Sequence, residues 1–364
     1  MSSVFTYNFT NFLKFSLKID KFHLFFGFFI KKYHIYDKSY QFSKKIGLIN
    51  NILISKLMTF YILIPFGIIL LALGGYCIVD SSTALAKKMS ISPMVIGIAI
   101  IGFGTSIPEI FVTTNAALSN HPDIAVGGII GSNIANILLV LGFSLFLSQK
   151  NVLPKISIGD LSVLAFSTLF LIYLMSLGSI GGIWPALMIF FLLVYFFLSF
   201  RFFNVNPLSD ENEEKKNYFQ ILGLLIFSFI SLFYGSDSLI QGLVDLAKTL
   251  NIPESVLGLS LAAIGTSLPE LSVTLFSIIR KKSSIALGNI IGSNIINILG
   301  ALGIASLVKG SLEISDDFLL LDPYILIATA IWLYIIVRYS DRNPRIFGAI
   351  SLLSYSVYIY AVYQ

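Results

Sequence analysis

Residues 97–142 read GIAIIGFGTSIPEIFVTTNAALSNHPDIAVGGIIGSNIANILLVLG, and residues 258–303 read GLSLAAIGTSLPELSVTLFSIIRKKSSIALGNIIGSNIINILGALG. The two stretches align without gaps and are identical at 22 of 46 positions. Shared membrane composition would produce scattered Ile and Leu matches, but not GTSxPE followed by GSNIxNIL in the same register. The chain therefore contains an internal duplication.

The composition around this duplication excludes a soluble globular enzyme. Of 364 residues, 56% are hydrophobic and 12% are charged, which is about half the charged fraction of about 25% that is usual in soluble domains. The net charge of +5 comes from residues 1–57, which hold nine Lys and only two acids. The remaining residues are slightly acidic, so the basic balance does not indicate a nucleic-acid partner.

The apolar body divides into ten segments of membrane-spanning length. They are 59–79, 92–118, 124–147, 158–176, 180–203, 218–247, 254–279, 284–307, 318–338 and 345–363. If the body starts outside, 13 of the 15 Lys and Arg residues after residue 57 lie on cytoplasmic connections, as the positive-inside rule requires. Five helices per copy is an odd number, so the second copy is inverted. The sequence predicts an all-α polytopic membrane protein with ten transmembrane helices in two inverted five-helix repeats.

The predicted organisation has four parts. Residues 1–57 are a basic, Phe-rich leader, residues 58–203 the first repeat, residues 204–217 a cytoplasmic linker, and residues 218–364 the second repeat. The leader disagrees with the predicted topology, because it would place nine Lys outside. We favour the hypothesis that Met58 is the true start. The alternative is a basic cytoplasmic or interfacial segment, with an extra crossing or a re-entrant stretch near 46–57.

The two GTSxPE motifs concentrate oxygen atoms. Thr105 and Ser106 precede Glu109 by four and three residues, so the three side chains are expected on one helix face. Pro108 lacks an N–H and leaves the carbonyl of Gly104 without its helical partner. The second copy repeats this arrangement with Thr266, Ser267, Pro269, Glu270 and the Gly265 carbonyl.

The two GSNIxN motifs add hydroxyls and amides. Ser132 and Asn136 are four apart, as are Ser293 and Asn297 in the second copy. Asn133 and Asn294 point roughly 100° away from the serine face. They are expected to pack against other residues or to bond the backbone. Three glycines are expected to let another helix approach closely: Gly127, Gly128 and Gly131.

The motifs hold only two charges, Glu109 and Glu270, and together they predict an oxygen-rich pocket of charge −2. A carboxylate at the centre of a membrane helix costs about 3 kcal/mol, so two at equivalent positions indicate a function. Calcium takes about 6–8 oxygen ligands, which carboxylates, amides and carbonyls can supply, and sodium accepts the same atoms. The motifs lack His and Cys, which argues against zinc, copper or iron.

Three other acids have no acidic counterpart in the other copy. They are Asp80, Asp237 and Asp245. Helix-end or water-facing acids are the simpler interpretation, with a regulatory or ion-entry role as the alternative.

At these motifs the sequence resembles the sodium/calcium exchanger family, within the cation/calcium exchanger superfamily, and is most similar to its compact prokaryotic members with two alpha-repeats. The resemblance covers about residues 59–363 and implies a fold in which helices two, three, seven and eight surround a central site. It implies that calcium is coordinated by Glu109, Asn136, Glu270 and Asn297. It also implies that sodium is held by Thr105, Ser106, Ser132, Thr266, Ser267 and Ser293. One departure is Asn297, where family members often carry Asp.

The inverted repeats and interrupted helices predict a secondary transporter with its site near the bilayer midplane. The predicted function is antiport of Ca²⁺ for Na⁺ by alternating access, with helices one and six sliding over the core as the family suggests. A proton/calcium antiporter is the alternative, a passive cation channel is less favoured, and an enzyme is not expected. We expect the plasma (inner) membrane as the location and the lipid bilayer as a partner, with K⁺ or H⁺ as further possible ions. No resident cofactor, nucleic acid or oligomer is required.

Overall fold

A computed structural model describes residues 49–149, 153–154, 158–202, 216–250 and 265–362. Clustering of contacts divides the chain into Met1–Thr59 and Phe60–Gln364. Most of the predicted leader, most of the linker 204–217 and the first part of the second motif, 258–264, lie outside the described residues.

The first half contains six helices. They are α1 (Ile49–Met89), α2 (Pro93–Thr105), α3 (Ile107–Leu118), α4 (Pro122–Phe146), α5 (Ile158–Ser176) and α6 (Trp184–Phe202). Proline stands in the first turn of α2, α3 and α4, where its missing N–H breaks no helical bond. Ser92 caps α2 by accepting a hydrogen bond from the backbone N–H of Met94 at 3.3 Å.

The second half contains five described helices and a short ribbon strand. The helices are α7 (Tyr218–Thr249), α8 (Leu268–Ile279), α9 (Ser283–Lys309), α10 (Asp322–Tyr339) and α11 (Pro344–Val362). Strand β1 (Ser179–Gly181) pairs antiparallel with β2 (Ser311–Glu313). A 3₁₀ turn at Asp316–Leu319 precedes α10. The ribbon joins the α5–α6 connection of one half to the α9–α10 connection of the other.

The described helices account for the ten predicted spans. Seven are long and apolar enough to cross a membrane, and the pair α2–α3 forms an eighth span that is bent by 44°. The ninth corresponds to α8, whose preceding residues 251–264 are not described, and the tenth to the 19-residue helix α11. The largest differences from the predicted bounds are at α1, which runs from Ile49 to Met89 rather than over 59–79, and at segment 92–118, which is two helices rather than one.

The helices that carry the GSNIxN motifs form the centre of the fold. Their most apolar stretches are 72% buried in α4 and 89% buried in α9, compared with 33% in α1 and 22% in α10. Helices at the lipid boundary expose one face to acyl chains, whereas α4 and α9 are enclosed by protein. The polar residues of the duplicated motifs are therefore enclosed by protein rather than exposed at the surface of the described helices.

Glycines let α2 and α9 pack backbone against backbone. A Cβ at Gly288 would lie 2.5 Å from the carbonyl oxygen of Met94, and one at Gly292 would lie 2.7 Å from the Cα of Ile98. The corresponding expectation for the first copy stays a prediction, because the equivalent of α2 in the second half, 251–264, lies outside the described residues. Among the described atoms, a Cβ at Gly127 would lie 3.2 Å from the Phe318 ring, and one at Gly128 or Gly131 has no atom within 4 Å.

Three segments of these helices are wound as π-helix, which is rare and concentrates at functional sites. They are Gly97–Gly102, Asn136–Leu141 and Ile296–Leu302. The second begins at Asn136 and the third begins one residue before Asn297. Both predicted amide ligands thus lie where the helical hydrogen-bond pattern changes, a feature that periodicity in the sequence does not reveal.

Candidate functional site

The two carboxylates of the duplicated motifs lie at equivalent helix starts. Glu109 is in the first turn of α3 and Glu270 is in the first turn of α8. Their side chains are 3% and 0% exposed. A helix N-terminus carries positive partial charge from its free N–H groups, which favours a carboxylate there. The break before each helix therefore creates the local environment in which a buried carboxylate is tolerated.

Each carboxylate is hydrogen-bonded by hydroxyls from both repeats. Ser132 Oγ donates to Glu109 Oε1 at 3.3 Å, and the Thr266 hydroxyl of the second repeat also bonds Glu109. Ser293 Oγ donates to Glu270 Oε1 at 3.5 Å, and the Thr105 hydroxyl of the first repeat also bonds Glu270. The threonine that bonds each carboxylate therefore comes from the other repeat.

The spacing that predicts Thr105, Ser106 and Glu109 on one helix face does not predict this exchange of threonines. The chain bends by 44° between α2 and α3, and Ser106 lies at the break. Thr105 ends one helix and Glu109 belongs to the next, and no hydrogen bond between their side chains is described. The Ser106 hydroxyl is fully buried and has no hydrogen-bond partner among the described residues.

The serines of the GSNIxN motifs connect the two halves. Ser132 Oγ lies 3.4 Å from Ser267 Oγ and accepts a hydrogen bond from Asn297 Nδ2 at 3.3 Å. On the other side, Ser293 Oγ lies 3.2 Å from Thr105 Oγ1. The described contacts gather eight of the ten side chains predicted to bind cations into two groups. One group contains Ser132, Glu109, Thr266, Ser267 and Asn297, and the other contains Ser293, Glu270 and Thr105. No described contact joins Ser106 or Asn136 to another of the ten.

Four asparagines form a crossed set of hydrogen bonds that sequence reasoning missed. Asn136 Nδ2 donates to Asn294 Oδ1 at 3.1 Å, and Asn297 Nδ2 donates to Asn133 Oδ1 at 3.3 Å. Asn133 Nδ2 also donates to the backbone carbonyl of Asn294 at 3.4 Å. The Asn133 side chain bonds backbone in part, as expected, but the side chains of Asn133 and Asn294 also fix the amide groups of Asn297 and Asn136. The only signal for this in the sequence is their position beside the motif serines.

Four carboxylate and amide oxygens remain unpartnered within the described part of the chain. They are Glu109 Oε2, Glu270 Oε2, Asn136 Oδ1 and Asn297 Oδ1. Leaving a buried polar oxygen without a partner is costly, and such groups require an explanation. These atoms belong to the four residues for which the resemblance implies calcium coordination. A divalent cation with hard-oxygen preference would supply the missing interaction.

Basic residues do not balance this charge in the described structure. The ion pairs found among the described residues both involve Asp80, which contacts Lys216 and lies 3.5 Å from Arg280. Neither Glu109 nor Glu270 takes part in an ion pair with a Lys, Arg or His that the structure describes. The described residues also contain no cluster of three or more His, Cys, Asp or Glu. Glu109 and Glu270 are therefore the only ionisable side chains among the ten predicted cation-binding residues, and the other eight offer hydroxyl and amide groups.

The remaining candidate acids lie outside this pocket. Asp80 joins α1 to Lys216 and Arg280, which makes it an ion-pairing residue rather than an isolated helix-end acid. Asp237 accepts a hydrogen bond from Gln241 Nε2 at 2.7 Å on the same helix. The backbone carbonyl of Asp245 accepts a hydrogen bond from the Thr249 hydroxyl. No contact of these three acids with one of the ten predicted cation-binding residues is described.

The Gly265 carbonyl, expected to be available, already has a donor. Ser236 Oγ on α7 donates to this oxygen at 2.7 Å. A carbonyl oxygen has two lone pairs, so the bond leaves one for another interaction. The equivalent of Ser236 on α1 is Gly75, which cannot make such a bond. The two helix breaks are therefore supported differently by the helices that pack on them.

Comparison with known proteins agrees with this geometry. The family described as Sodium/calcium exchanger protein matches residues 59–203 and 220–364. The sodium/calcium exchanger MaX1 of Methanosarcina acetivorans is 28% identical, over 83% of this chain and 98% of the relative. The inner membrane protein YrbG of Escherichia coli is 31% identical, over 66% of this chain and 78% of the relative.

A solved structure of the sodium-calcium exchanger NCX_Mj, soaked with zero Na⁺ and Ca²⁺, superposes with a TM-score of 0.70. It is 30% identical and covers 84% of this chain and 99% of the solved chain. The prediction of an exchanger fold with two repeats is thereby confirmed. The chain belongs to the sodium/calcium exchanger family, and is a membrane-embedded cation/calcium exchanger rather than an enzyme.

Proposed function

We propose that this protein exchanges Ca²⁺ for Na⁺ across the membrane by alternating access. The observation that carries the proposal is the set of four unpartnered buried oxygens on Glu109, Glu270, Asn136 and Asn297. Two carboxylates without a basic partner give the pocket a formal charge of −2. One Ca²⁺ or two Na⁺ would neutralise that charge, so the two ions compete for the same carboxylates.

The hydroxyls supply two sodium subsites in this proposal. One consists of Thr105, Ser293 and Glu270, and the other of Thr266, Ser132 and Glu109, each drawing residues from both repeats. Ser106 and Ser267 contribute their hydroxyls at the two breaks. Because the subsites share the carboxylates with calcium, sodium entry lowers the affinity of the pocket for calcium.

Competition of this kind makes exchange obligatory. An empty pocket with two unbalanced carboxylates is costly to carry past the hydrophobic barrier, whereas a neutralised pocket is not. The protein therefore changes its facing direction when it holds either calcium or sodium. Helices α1 and α7 are proposed to slide over the central helices during this change. The cycle requires no resident cofactor and no second subunit.

The proposal is tested by calcium uptake into proteoliposomes of the purified chain. Vesicles loaded with sodium and diluted into sodium-free buffer should accumulate ⁴⁵Ca²⁺, and vesicles with equal sodium on both sides should not. Vesicles loaded with choline instead of sodium control for passive leak. In a third arm, a pH gradient replaces the sodium gradient, and no ionophore is added. Uptake driven by the pH gradient and unaffected by sodium would contradict the proposal and favour proton/calcium antiport. Uptake down a calcium gradient alone would indicate a channel.

We further propose a plasma (inner) membrane location, with the body starting outside and the linker 204–217 in the cytoplasm. The support is the uneven distribution of Lys and Arg. Residues 119–121, between α3 and α4, and residues 280–282, between α8 and α9, form the hinges of the two copies. The exposed hinge residues His121 and Lys281 give a direct test in a Cys77→Ser background. In whole cells an impermeant maleimide should label His121→Cys but should label Lys281→Cys only after permeabilisation. The opposite pattern would reverse the topology.

A further inference from the structure

A buried asparagine lies behind the Thr105 subsite. Asn289 is on α9, one helical turn before Ser293, and its side chain is 0% exposed. The equivalent position in the first repeat is Gly128. Asn289 is therefore a polar side chain present in one copy of the site only. Neither motif used in the proposed function includes it.

Hydrogen bonds fix the orientation of the Asn289 amide. Its Nδ2 lies 3.1 Å from Thr274 Oγ1 and 3.4 Å from the backbone carbonyl of Glu270. Both acceptors are on α8, so the two amide protons are directed to that helix. The amide oxygen then faces the other way. Thr105 Oγ1 donates to this oxygen at 3.1 Å.

The Thr105 hydroxyl has one proton and several acceptors within reach. They are Asn289 Oδ1 at 3.1 Å, Ser293 Oγ at 3.2 Å and the Gly102 carbonyl at 3.3 Å, in addition to the Glu270 carboxylate. A hydroxyl binds a cation through an oxygen lone pair, so its proton must point away from the ion. Ser293 and Glu270 lie on the ion's side in the proposed subsite. Asn289 Oδ1 is the nearest acceptor on the other side.

We propose that Asn289 is a positioning residue for sodium, which accepts the Thr105 proton and so presents the Thr105 oxygen to the ion. This inference rests on the proposed function and deepens it. In this proposal Asn289 acts through the Thr105 hydroxyl, which donates to its oxygen, and not by binding the ion itself. Since residue 128 is glycine, the other subsite lacks this side chain. The two sodium subsites are therefore chemically unequal.

Calcium binding should be much less sensitive to Asn289. The four oxygens assigned to calcium come from residues that Asn289 does not contact through their side chains. Its bond to the Glu270 backbone is long, at 3.4 Å, and the same helix turn is held by α-helical bonds. Removing the Asn289 amide should therefore change sodium dependence more than calcium dependence. A general loss of structure would change both.

The experiment measures two activities of the full chain in proteoliposomes. The first is the sodium concentration that gives half-maximal ⁴⁵Ca²⁺ efflux, and the second is sodium-free Ca²⁺/⁴⁵Ca²⁺ exchange at varied calcium. Asn289→Ala should raise the half-maximal sodium concentration roughly tenfold, the loss expected for one buried hydrogen bond. The calcium concentration for half-maximal sodium-free exchange should change by less than about twofold.

Two further variants keep the inference testable if Asn289→Ala folds poorly. Thr274→Val removes the acceptor that orients the amide and should raise the half-maximal sodium concentration by about threefold. Its matched control is Thr113→Val, the same change at the equivalent residue of the first repeat, where residue 128 offers no amide. In a Thr105→Val background, Asn289→Ala should add no further sodium defect, because the two residues act in series.

Each outcome decides between the two proposals. If Asn289→Ala leaves the sodium dependence unchanged while the unmodified chain responds to sodium, the positioning role is wrong and the proposed function stands. If both activities fall equally, Asn289 is a structural residue and the inference is overturned. If the unmodified chain catalyses calcium exchange without any sodium response, both the proposed function and this inference fail.

Discussion

The two copies of the duplicated motif are alike where they face the pocket and different behind it. Both place a glutamate after a helix break, a serine beside that glutamate and an amide at the start of a π-helical turn. Behind the pocket, Asn289 of the second copy stands where the first has Gly128. The difference teaches that the residues proposed to bind the ions are the same in the two copies, whereas the groups that orient them are not.

The hinges of the two copies show a second contrast. Asn120 and Lys281 occupy equivalent positions and both adopt positive φ, at 61° and 59°. The backbone turn is therefore the same, although one residue is an amide and the other a cation. Their surroundings differ: Asn120 accepts a hydrogen bond from Lys309, whereas Arg280 beside Lys281 contacts Asp80 and the Tyr76 ring on α1. Only the second hinge is linked to α1 by charge.

The largest predicted effect concerns the two glutamates, which the two copies have in common. Glu109→Gln and Glu270→Gln should each reduce sodium-dependent calcium uptake by more than about 100-fold, because each removes one of two charges that the ions neutralise. The two losses should be similar in size. Uptake by both variants is measured in proteoliposomes at matched protein content, with folding checked by size-exclusion elution. Retained activity in either variant would refute the assignment of the carboxylates.

The asparagine cross-pairs should give the next largest effect, again similar in both copies. Asn133→Ala and Asn294→Ala each free the amide of a predicted calcium ligand, and each should raise the half-saturating calcium concentration roughly tenfold. Asn115→Ala, at an exposed position of α3, is the matched control and should leave it unchanged. A strong effect of only one of the two variants would show that the pocket is less symmetric than its contacts indicate.

The ion pairs of Asp80 test the difference between the two hinges. Asp80 and Arg280 are each 27% exposed and Lys216 is 21% exposed, so the pairs are only partly screened by solvent. Asp80→Asn should lower the free energy of unfolding by about 1 kcal/mol, measured as a lower melting temperature in detergent. Asp341→Asn, at an exposed helix end, should not. Equal melting temperatures for both variants would mean that the cluster adds no stability.

The contact at the first hinge should have the smallest effect. Lys309 and Asn120 are at the surface, where one hydrogen bond competes with water. Lys309→Ala should change the melting temperature by less than about 1 °C and should leave calcium uptake unaltered, because the loss is a few tenths of a kcal/mol. A larger change would indicate that the two hinges are more alike in their energetic role than their residues suggest.

Much of the fold could be predicted from the sequence because its signals are local or repeated. Apolar segments of bilayer length locate the helices, and the gapless duplication with an odd number of helices implies inversion. The residues of the pocket could be named for a similar reason. Buried carboxylates and amides in a membrane helix are costly, so Glu109, Glu270, Asn136 and Asn297 stand out without a structure.

Other features depend on contacts between residues about 160 positions apart. Spacing within GTSIPE places Thr105 beside Glu109, and no hydrogen bond between these two side chains is described. The helices at the 44° bend at Ser106 pack so that Thr105 bonds Glu270 and Thr266 bonds Glu109. Spacing within one motif carries no information about which copy supplies each partner.

The sequence by itself therefore determined the duplicated membrane architecture and the list of oxygen-bearing residues, since composition, periodicity and repetition are properties of the chain alone. Tertiary structure decided the pairing of the two halves, the crossed asparagines and the place of Asn289 behind Thr105. The physical reason is that hydrogen bonds in a buried pocket are set by the directions of donors and acceptors. Those directions exist only after the two inverted halves have packed together.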